Sequence, residues 1–277
     1  MVMEMGKAIV MGSFDDLRSS DIRFLEEASR FGNVHVVLWS DELVRTITGD
    51  VLKFPLEERL YLLKAIRYVD QIRVAEKLND PNGLPEVEEL HATTWVVNTE
   101  EDTPAKRYFC GINGLKYEVI DSSVLKEFPS KTNMPVHMPP DRQRVVVTGC
   151  YDWFHSGHVR FFEEASRLGD LYVVAGSDEN VRLLKGDGHP MFSQDERRYV
   201  VQSIRFVKQA FISSGTGWLD AEPEIALIQP DIYVVNEDGD KPEKRDFCQT
   251  HMIEYVVLKR KPREGLPKRQ SVDLRGY

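Results

Sequence analysis

The chain switches between two periods of hydrophobicity. Val145, Val146 and Val147, inside the stretch 144–148, are consecutive apolar residues. A strand covered on both faces needs no alternation, so this run predicts a buried parallel strand. Over 158–168 the period lengthens to that of a helix: Val159, Phe162, Ala165 and Leu168 share one face, charges occupy the other, and Gly169 supplies a stop. The same reading predicts strands at 171–175, 207–212, 232–235 and 253–258. It places helices near 178–184, over 194–206, and near 222–228 and 241–250. Strand and helix in alternation imply an α/β fold built on a doubly wound parallel sheet, whose ligands bind at the carboxyl ends of the strands near a switch in strand order. The segment that follows residue 149 lies at such an end.

The pattern occurs twice. Residues 22–30 read Ile-Arg-Phe-Leu-Glu-Glu-Ala-Ser-Arg and residues 159–167 read Val-Arg-Phe-Phe-Glu-Glu-Ala-Ser-Arg, seven identities in nine positions at an offset of 137. After a one-residue slip the correspondence continues, with Glu58-Arg59 facing Glu196-Arg197, Val96-Val97-Asn98 facing Val234-Val235-Asn236, and Phe109-Cys110 facing Phe247-Cys248. Two copies of this length predict two similar domains, not a solenoid. The expected boundaries are 1–127 for the first domain, a proline-rich linker over 128–141 with Pro129, Pro135, Pro139 and Pro140, and 142–277 for the second.

Composition narrows the class. The 277 residues hold 42% hydrophobic and 29% charged positions, ordinary for a globular protein, and no apolar run approaches the length of a membrane span. A net charge of −9 argues against a general nucleic-acid binder. The N-terminal stretch shows no signal-peptide core, and Cys110, Cys150 and Cys248 have neither zinc-site nor disulfide spacing, so a cytoplasmic protein is expected. The acidity is uneven. Residues 1–138 carry 16 basic and 23 acidic groups, whereas 139–277 carry 20 and 22. Within 259–269, Lys259, Arg260, Lys261, Arg263, Lys268 and Arg269 face Glu264 alone, which reads either as a solvated tail or as a clamp for a polyphosphate.

The chemistry concentrates in residues 149–158, Gly-Cys-Tyr-Asp-Trp-Phe-His-Ser-Gly-His. Gly157 lets backbone approach a ligand closely, and the predicted helix start offers free N–H groups to an anion. His155 and His158 can donate ring N–H bonds to phosphate oxygens, and the expectation is that they are more strongly cationic beside an anion. Such donors stabilise charge that develops during phosphoryl-group transfer. The first copy lacks this equipment. Arg18 and Asp21 stand where the histidines are, and Thr48 stands where Lys185 is.

These residues resemble the motif Gly-x-Tyr/Phe-Asp-x-x-His-x-Gly-His of the cytidylyltransferase-like nucleotidyltransferases. The resemblance extends to Lys185-Gly186, to Glu196-Arg197, to Ile204-Arg205-Phe206-Val207 and to the C-terminal Arg269-Gln-Ser-Val-Asp-Leu-Arg275. It implies two tandem Rossmann-like domains of the nucleotidyltransferase α/β phosphodiesterase type, of which the first is degenerate. It further implies catalytic roles for His155, His158 and Lys185, and nucleotide contacts from Gly149, Tyr151, Asp152, Gly157, Arg205, Ser271 and Arg275. Asp152 orients the turn or a substrate hydroxyl, and Trp218 is either a substrate-site aromatic or a core residue. Gln270 and Val272 replace small hydroxyl residues of the family pattern.

The activity so implied is transfer of CMP from CTP to a phosphorylated alcohol with release of pyrophosphate. Mg²⁺ accompanies the triphosphate, and no dedicated protein metal site is expected. The tandem layout resembles that of ethanolamine-phosphate cytidylyltransferases, which makes ethanolamine phosphate the first substrate and phospholipid biosynthesis the setting, with glycerol 3-phosphate or choline phosphate next. Adenylyl transfer from ATP to a phosphorylated sugar or cofactor precursor, and a non-catalytic nucleotide-binding regulator, remain alternatives. Many relatives are homodimers, so the first copy is expected to replace a partner in a pseudo-dimer within the chain, with a homodimer also open.

Overall fold

The computed structural model describes residues 6–49, 51–85, 93–129, 142–270 and 274. The chain divides into two compact units, Met1–Phe128 and Pro129–Tyr277. The first contains β1 (Lys7–Gly12), α1 (Ser19–Ala28), β2 (Asn33–Trp39), α2 (Asp41–Thr48), α3 (Leu56–Ala65), β3 (Val69–Ala75), β4 (Thr93–Asn98), α4 (Pro104–Ile112) and β5 (Lys116–Ile120). The second contains β6 (Arg144–Gly149), α5 (Ser156–Ala165), β7 (Asp170–Ala175), α6 (Asp178–Lys185), α7 (Gln194–Gln202), β8 (Val207–Ile212), α8 (Glu222–Ile228), β9 (Ile232–Asn236), α9 (Pro242–Thr250) and β10 (Glu254–Leu258). Their sheets run β3-β2-β1-β4-β5 and β10-β9-β6-β7-β8, with parallel neighbours throughout. Both are Rossmann-like sheets with the first strand of each copy at the centre, so the strand order reverses beside β1 and beside β6. Among the described residues no helix is long and apolar enough to cross a membrane.

The faces of the second sheet follow from alternation along β6. Val146 joins Tyr172, Val174, Phe211, Tyr233 and Val235 in a core closed by Ile225 and Ile228 of α8 and by Phe247 and Cys248 of α9. Val145 and Val147 point to the opposite face. There α5 buries Val159, Phe162 and Ala165 completely. Each large apolar side chain so covered contributes about 1.5–3 kcal/mol. Two predicted helices are shorter than their patterns. The first begins at Ser156 and ends at Ala165, leaving Leu168 exposed. The second ends at Gln202, where the bonding tightens to i→i−3, with the Ile204 N–H on the Val201 carbonyl (3.1 Å) and the Val207 N–H on the Ile204 carbonyl (3.0 Å), and the chain turns into β8.

One buried arginine holds the upper end of each sheet together. Arg197 on α7 donates to the carbonyls of Phe192 (2.9 Å), Cys150 (2.6 Å) and Gly176 (2.7 Å) and to the Asp178 carboxylate (2.8 Å). It thereby joins the loop before α7, the motif loop after β6, the end of β7 and the start of α6. Arg59 repeats the arrangement in the first unit, with Phe54, Ser13 and Trp39 carbonyls and the Asp41 carboxylate as acceptors.

Candidate active site

The motif spans the turn from β6 into α5. Tyr151 takes a left-handed backbone (φ 55°), and a Cβ on Gly149 would stand 2.8 Å from its ring, so the tight turn requires glycine there. His155 caps α5: its Nδ1 accepts the Gly157 N–H at 3.0 Å. A neutral imidazole that accepts at Nδ1 carries its proton on Nε2. That Nε2 is buried and has no partner among the described residues, and the same holds for His158 Nδ1 and the Tyr151 hydroxyl. The two imidazoles stack at 4.0 Å, and Phe154 extends the stack beyond His158 at 5.4 Å.

Burial dominates the electrostatics of this pair. It pushes His155 down to about 3, assisted by the nearby Arg260 and Arg269. It holds His158 well below the ordinary imidazole range, with His155, Arg260 and Lys185 adding to the effect. Without an anion both rings are neutral, because charging them in a dry, already positive corner is unfavourable; the expectation of cationic histidines concerns the anion-bound site. A bound anion would oppose those neighbours by favouring the charged imidazole.

A cavity of about 290 Å³ opens above the carboxyl ends of β6 and β9. Gly149, Tyr151, Asp152, His155, Gly157 and His158 line it from the motif, Lys185 from the end of α6, and Arg260 from beyond β10. A smaller adjoining cleft shares Gly157 and Arg260 and is walled by Lys259, Lys261, Lys268 and Arg269. The basic run thus folds over the α5 N-terminus. Arg260 is steered by an ion pair to Asp238 and by donation to the Arg269 carbonyl at 3.2 Å.

Other sequence-predicted residues lie differently. The Asp152 carboxylate accepts the Met191 N–H (2.8 Å) and Phe192 N–H (3.1 Å) and sits 3.1 Å from His189 Nδ1. It fastens the loop before α7, and its oxygens are occupied by protein groups, which corrects the reading of a substrate-hydroxyl ligand. In the first unit Asp15 does the same to the N–H groups of Lys53 and Phe54, although that copy lacks the histidines. Arg205 precedes β8, at the N-terminal end of the strands, about 20 Å of strand away from their carboxyl ends. Its expected nucleotide contact is corrected by that position, since a parallel sheet places all loops of one kind at one end. Trp218 is 48% exposed, not a core residue, and carries Lys241 Nζ 4.8 Å over its ring. Ser271 and Arg275 lie outside the described residues.

Lys244 was not anticipated. It lines the cavity from α9 at 8% exposure, with Nζ 3.3 Å from Thr148 Oγ1. Its only sequence signal is a lysine in the first turn of a helix that follows a strand. Cys150 is half-buried, and burial raises its thiol, with Lys185 opposing.

The first unit closes the equivalent position against anions. Asp21 replaces the second histidine and accepts the Arg18 N–H at 2.7 Å, so the α1 N-terminus is capped by its own carboxylate. Arg18 and Lys53 are both paired with Asp16. The cavity there is lined by Asp15, Asp21, Glu100 and Glu101. Burial raises Asp21 and Glu101 above the usual carboxylate range.

The chain matches the cytidylyltransferase-like family over residues 146–262. FAD synthase of Aciduliprofundum boonei (strain DSM 19572 / T469) is 35% identical over 121 residues, covering 43% of this chain and 78% of that protein. Bifunctional protein HldE of Campylobacter concisus (strain 13826) is 39% identical over 99 residues, which is 35% of this chain but only 20% of the HldE length. A solved lipopolysaccharide core biosynthesis protein from Thermoplasma volcanium GSS1 aligns over 42% of this chain at 23% identity and a TM-score of 0.37. With a matched family domain that encloses the stacked histidines, and a relative covered over most of its length, the chain belongs to the cytidylyltransferase-like family.

Proposed function

We propose that the second unit is a nucleotidyltransferase that moves a nucleoside monophosphate from a triphosphate to a small phosphorylated acceptor. The observation that carries this is His155 Nε2 and His158 Nδ1, buried without a partner among the described residues, beside the His155-capped N-terminus of α5 and Arg260. Leaving each such polar atom unpaired costs about 1–3 kcal/mol, which a polyphosphate ligand removes. An acceptor phosphate oxygen attacks the α-phosphorus, the bond to the bridging oxygen breaks, and pyrophosphate leaves with its electron pair. His155 and His158 donate to the phosphate oxygens, and Lys185 neutralises the triphosphate from the α6 end. Ser271 and Arg275 are proposed to add contacts from the C-terminal segment. Mg²⁺ belongs to the substrate as the counter-ion of the triphosphate. The first unit serves as a scaffold without a nucleotide site.

CTP with ethanolamine phosphate is the first pairing, supported by the family match and the tandem layout. ATP is the second, favoured by the relative named FAD synthase, a name that implies adenylyl transfer to a phosphorylated precursor. Pyrophosphate release measured with CTP and ATP against ethanolamine phosphate, glycerol 3-phosphate, choline phosphate and flavin mononucleotide tests both. Tight triphosphate binding without release in any combination would replace the enzyme by a nucleotide-binding regulator.

A further inference from the structure

Lys244 is an ammonium with 8% exposure that has no carboxylate within ion-pair distance among the described residues. Among the described residues its Nζ has one polar contact, the Thr148 hydroxyl, which is itself 2.8 Å from the Tyr233 hydroxyl, and Nζ stands 5.8 Å from the centre of the Tyr233 ring. A lysine has three donors, so most of its capacity is directed at the cavity it lines. Burial lowers its affinity for a proton, with Asp220 opposing and Lys241 adding to the effect. An unpaired buried charge is unfavourable unless a ligand compensates it.

The position of this group in the sheet says which ligand. Thr148 and Tyr233 point to the α8/α9 face, as Val146 and Val235 do, whereas α5 and its histidines lie on the other face. The cavity therefore joins a helix N-terminus on one side of the sheet to a buried ammonium on the other. Two separated phosphate-binding positions suit in-line displacement, in which the attacking phosphate and the leaving pyrophosphate occupy opposite sides of the α-phosphorus. In the first unit the matching positions are Met11, Trp95 and Lys106. Lys106 Nζ stands 5.6 Å over the Trp95 ring, as Lys244 stands over Tyr233, but with Met11 and Trp95 in place of the hydroxyl pair it donates to the Glu101 carbonyl at 2.8 Å. The hydroxyl pair and the cavity-facing lysine occur in the copy that has the histidines.

We infer that Lys244, with the Thr148–Tyr233 hydroxyl pair, is the receptor for the acceptor's phosphate, a phosphomonoester dianion, across the cavity from the triphosphate cradle. This rests on the nucleotidyl-transfer reading. Steady-state kinetics of the full chain separate the two. Lys244→Met raises KM for the acceptor about 10- to 100-fold and leaves KM for the triphosphate unchanged, and Lys244→Arg recovers part of the loss. An unchanged acceptor KM, or a loss confined to the triphosphate, overturns the assignment. The double variant Thr148→Val/Tyr233→Phe keeps the volume and removes both hydroxyls, and it also raises acceptor KM if Lys244→Met fails to fold. Absence of pyrophosphate release by the unmodified protein would instead remove the parent reading. Calorimetric titration with ethanolamine phosphate and with inorganic phosphate then reads the subsite directly: weaker binding to Lys244→Met supports it, and equal binding overturns it.

Discussion

His155 and His158 lie ring on ring at 4.0 Å, both neutral, each with one buried nitrogen that meets no partner among the described residues. The stack fixes both rings against rotation before any ligand arrives, so binding and transfer require little reorganisation of the donors.

His158→Ala removes one preorganised donor and leaves His155 capping α5. Turnover falls on the order of 10²–10³, about 3–4 kcal/mol, with secondary structure retained. Pyrophosphate release and circular dichroism check the pair of outcomes, and full turnover by the variant would reject the motif assignment.

His155 also links stability to pH. Its folded pKa, about 3, lies below the unfolded value, so below that unfolded value the unfolded chain takes up a proton that the folded protein refuses. The contribution is fully present above the unfolded value near 6.5 and is lost as pH falls toward 3. Urea unfolding at pH 7 and pH 5 should show lower stability at pH 5. The slope should shrink in His155→Asn, and an unchanged slope would count against burial as the cause.

Arg197→Met leaves three carbonyls and Asp178 without their shared donor at the junction of four segments. The expected destabilisation is about 3–5 kcal/mol, comparable to breaking a buried ion pair. Arg59→Met should cost the first unit a similar amount while leaving KM values unchanged. Denaturant midpoints for the two variants, with kinetics for the second, test the equivalence.

Asp152→Asn keeps the Oδ1 acceptor for the two N–H groups of the loop before α7 but removes the charge and sets an amide in place of the Oδ2 that faces His189 Nδ1. A loss of about 1–3 kcal/mol is expected, with acceptor specificity unchanged, because the side chain tethers protein and not substrate. A selective rise in acceptor KM would restore the substrate-hydroxyl role.

One triphosphate should bind per chain. Arg18→Ala/Asp21→Ala alters the acidic pocket of the first unit without changing that stoichiometry or the turnover. Calorimetric titration of the full chain gives the count.

The α/β alternation, the duplication and the β6–α5 junction were legible because they rest on local order: apolar runs, helical spacing and a glycine turn read along the chain. The His155-to-His158 spacing was legible for the same reason, since both rings sit on one turn. Lys244 escaped because its neighbours Thr148 and Tyr233 come from strands 96 and 11 residues away in sequence. Arg205 was misplaced for the converse reason, since an arginine near a strand carries no mark of which end of the sheet it will occupy.

By itself, then, the sequence determined the strand-helix order, the two copies and the residues able to donate to phosphate, all consequences of short-range periodicity and residue chemistry. Tertiary structure decided the charge state of the histidines, the occupation of Asp152 by its own loop and the exposure of Trp218. It also decided the pairing of a helix N-terminus with a buried ammonium across the sheet. Each depends on desolvation and on distances between segments remote in the chain, which no local pattern encodes.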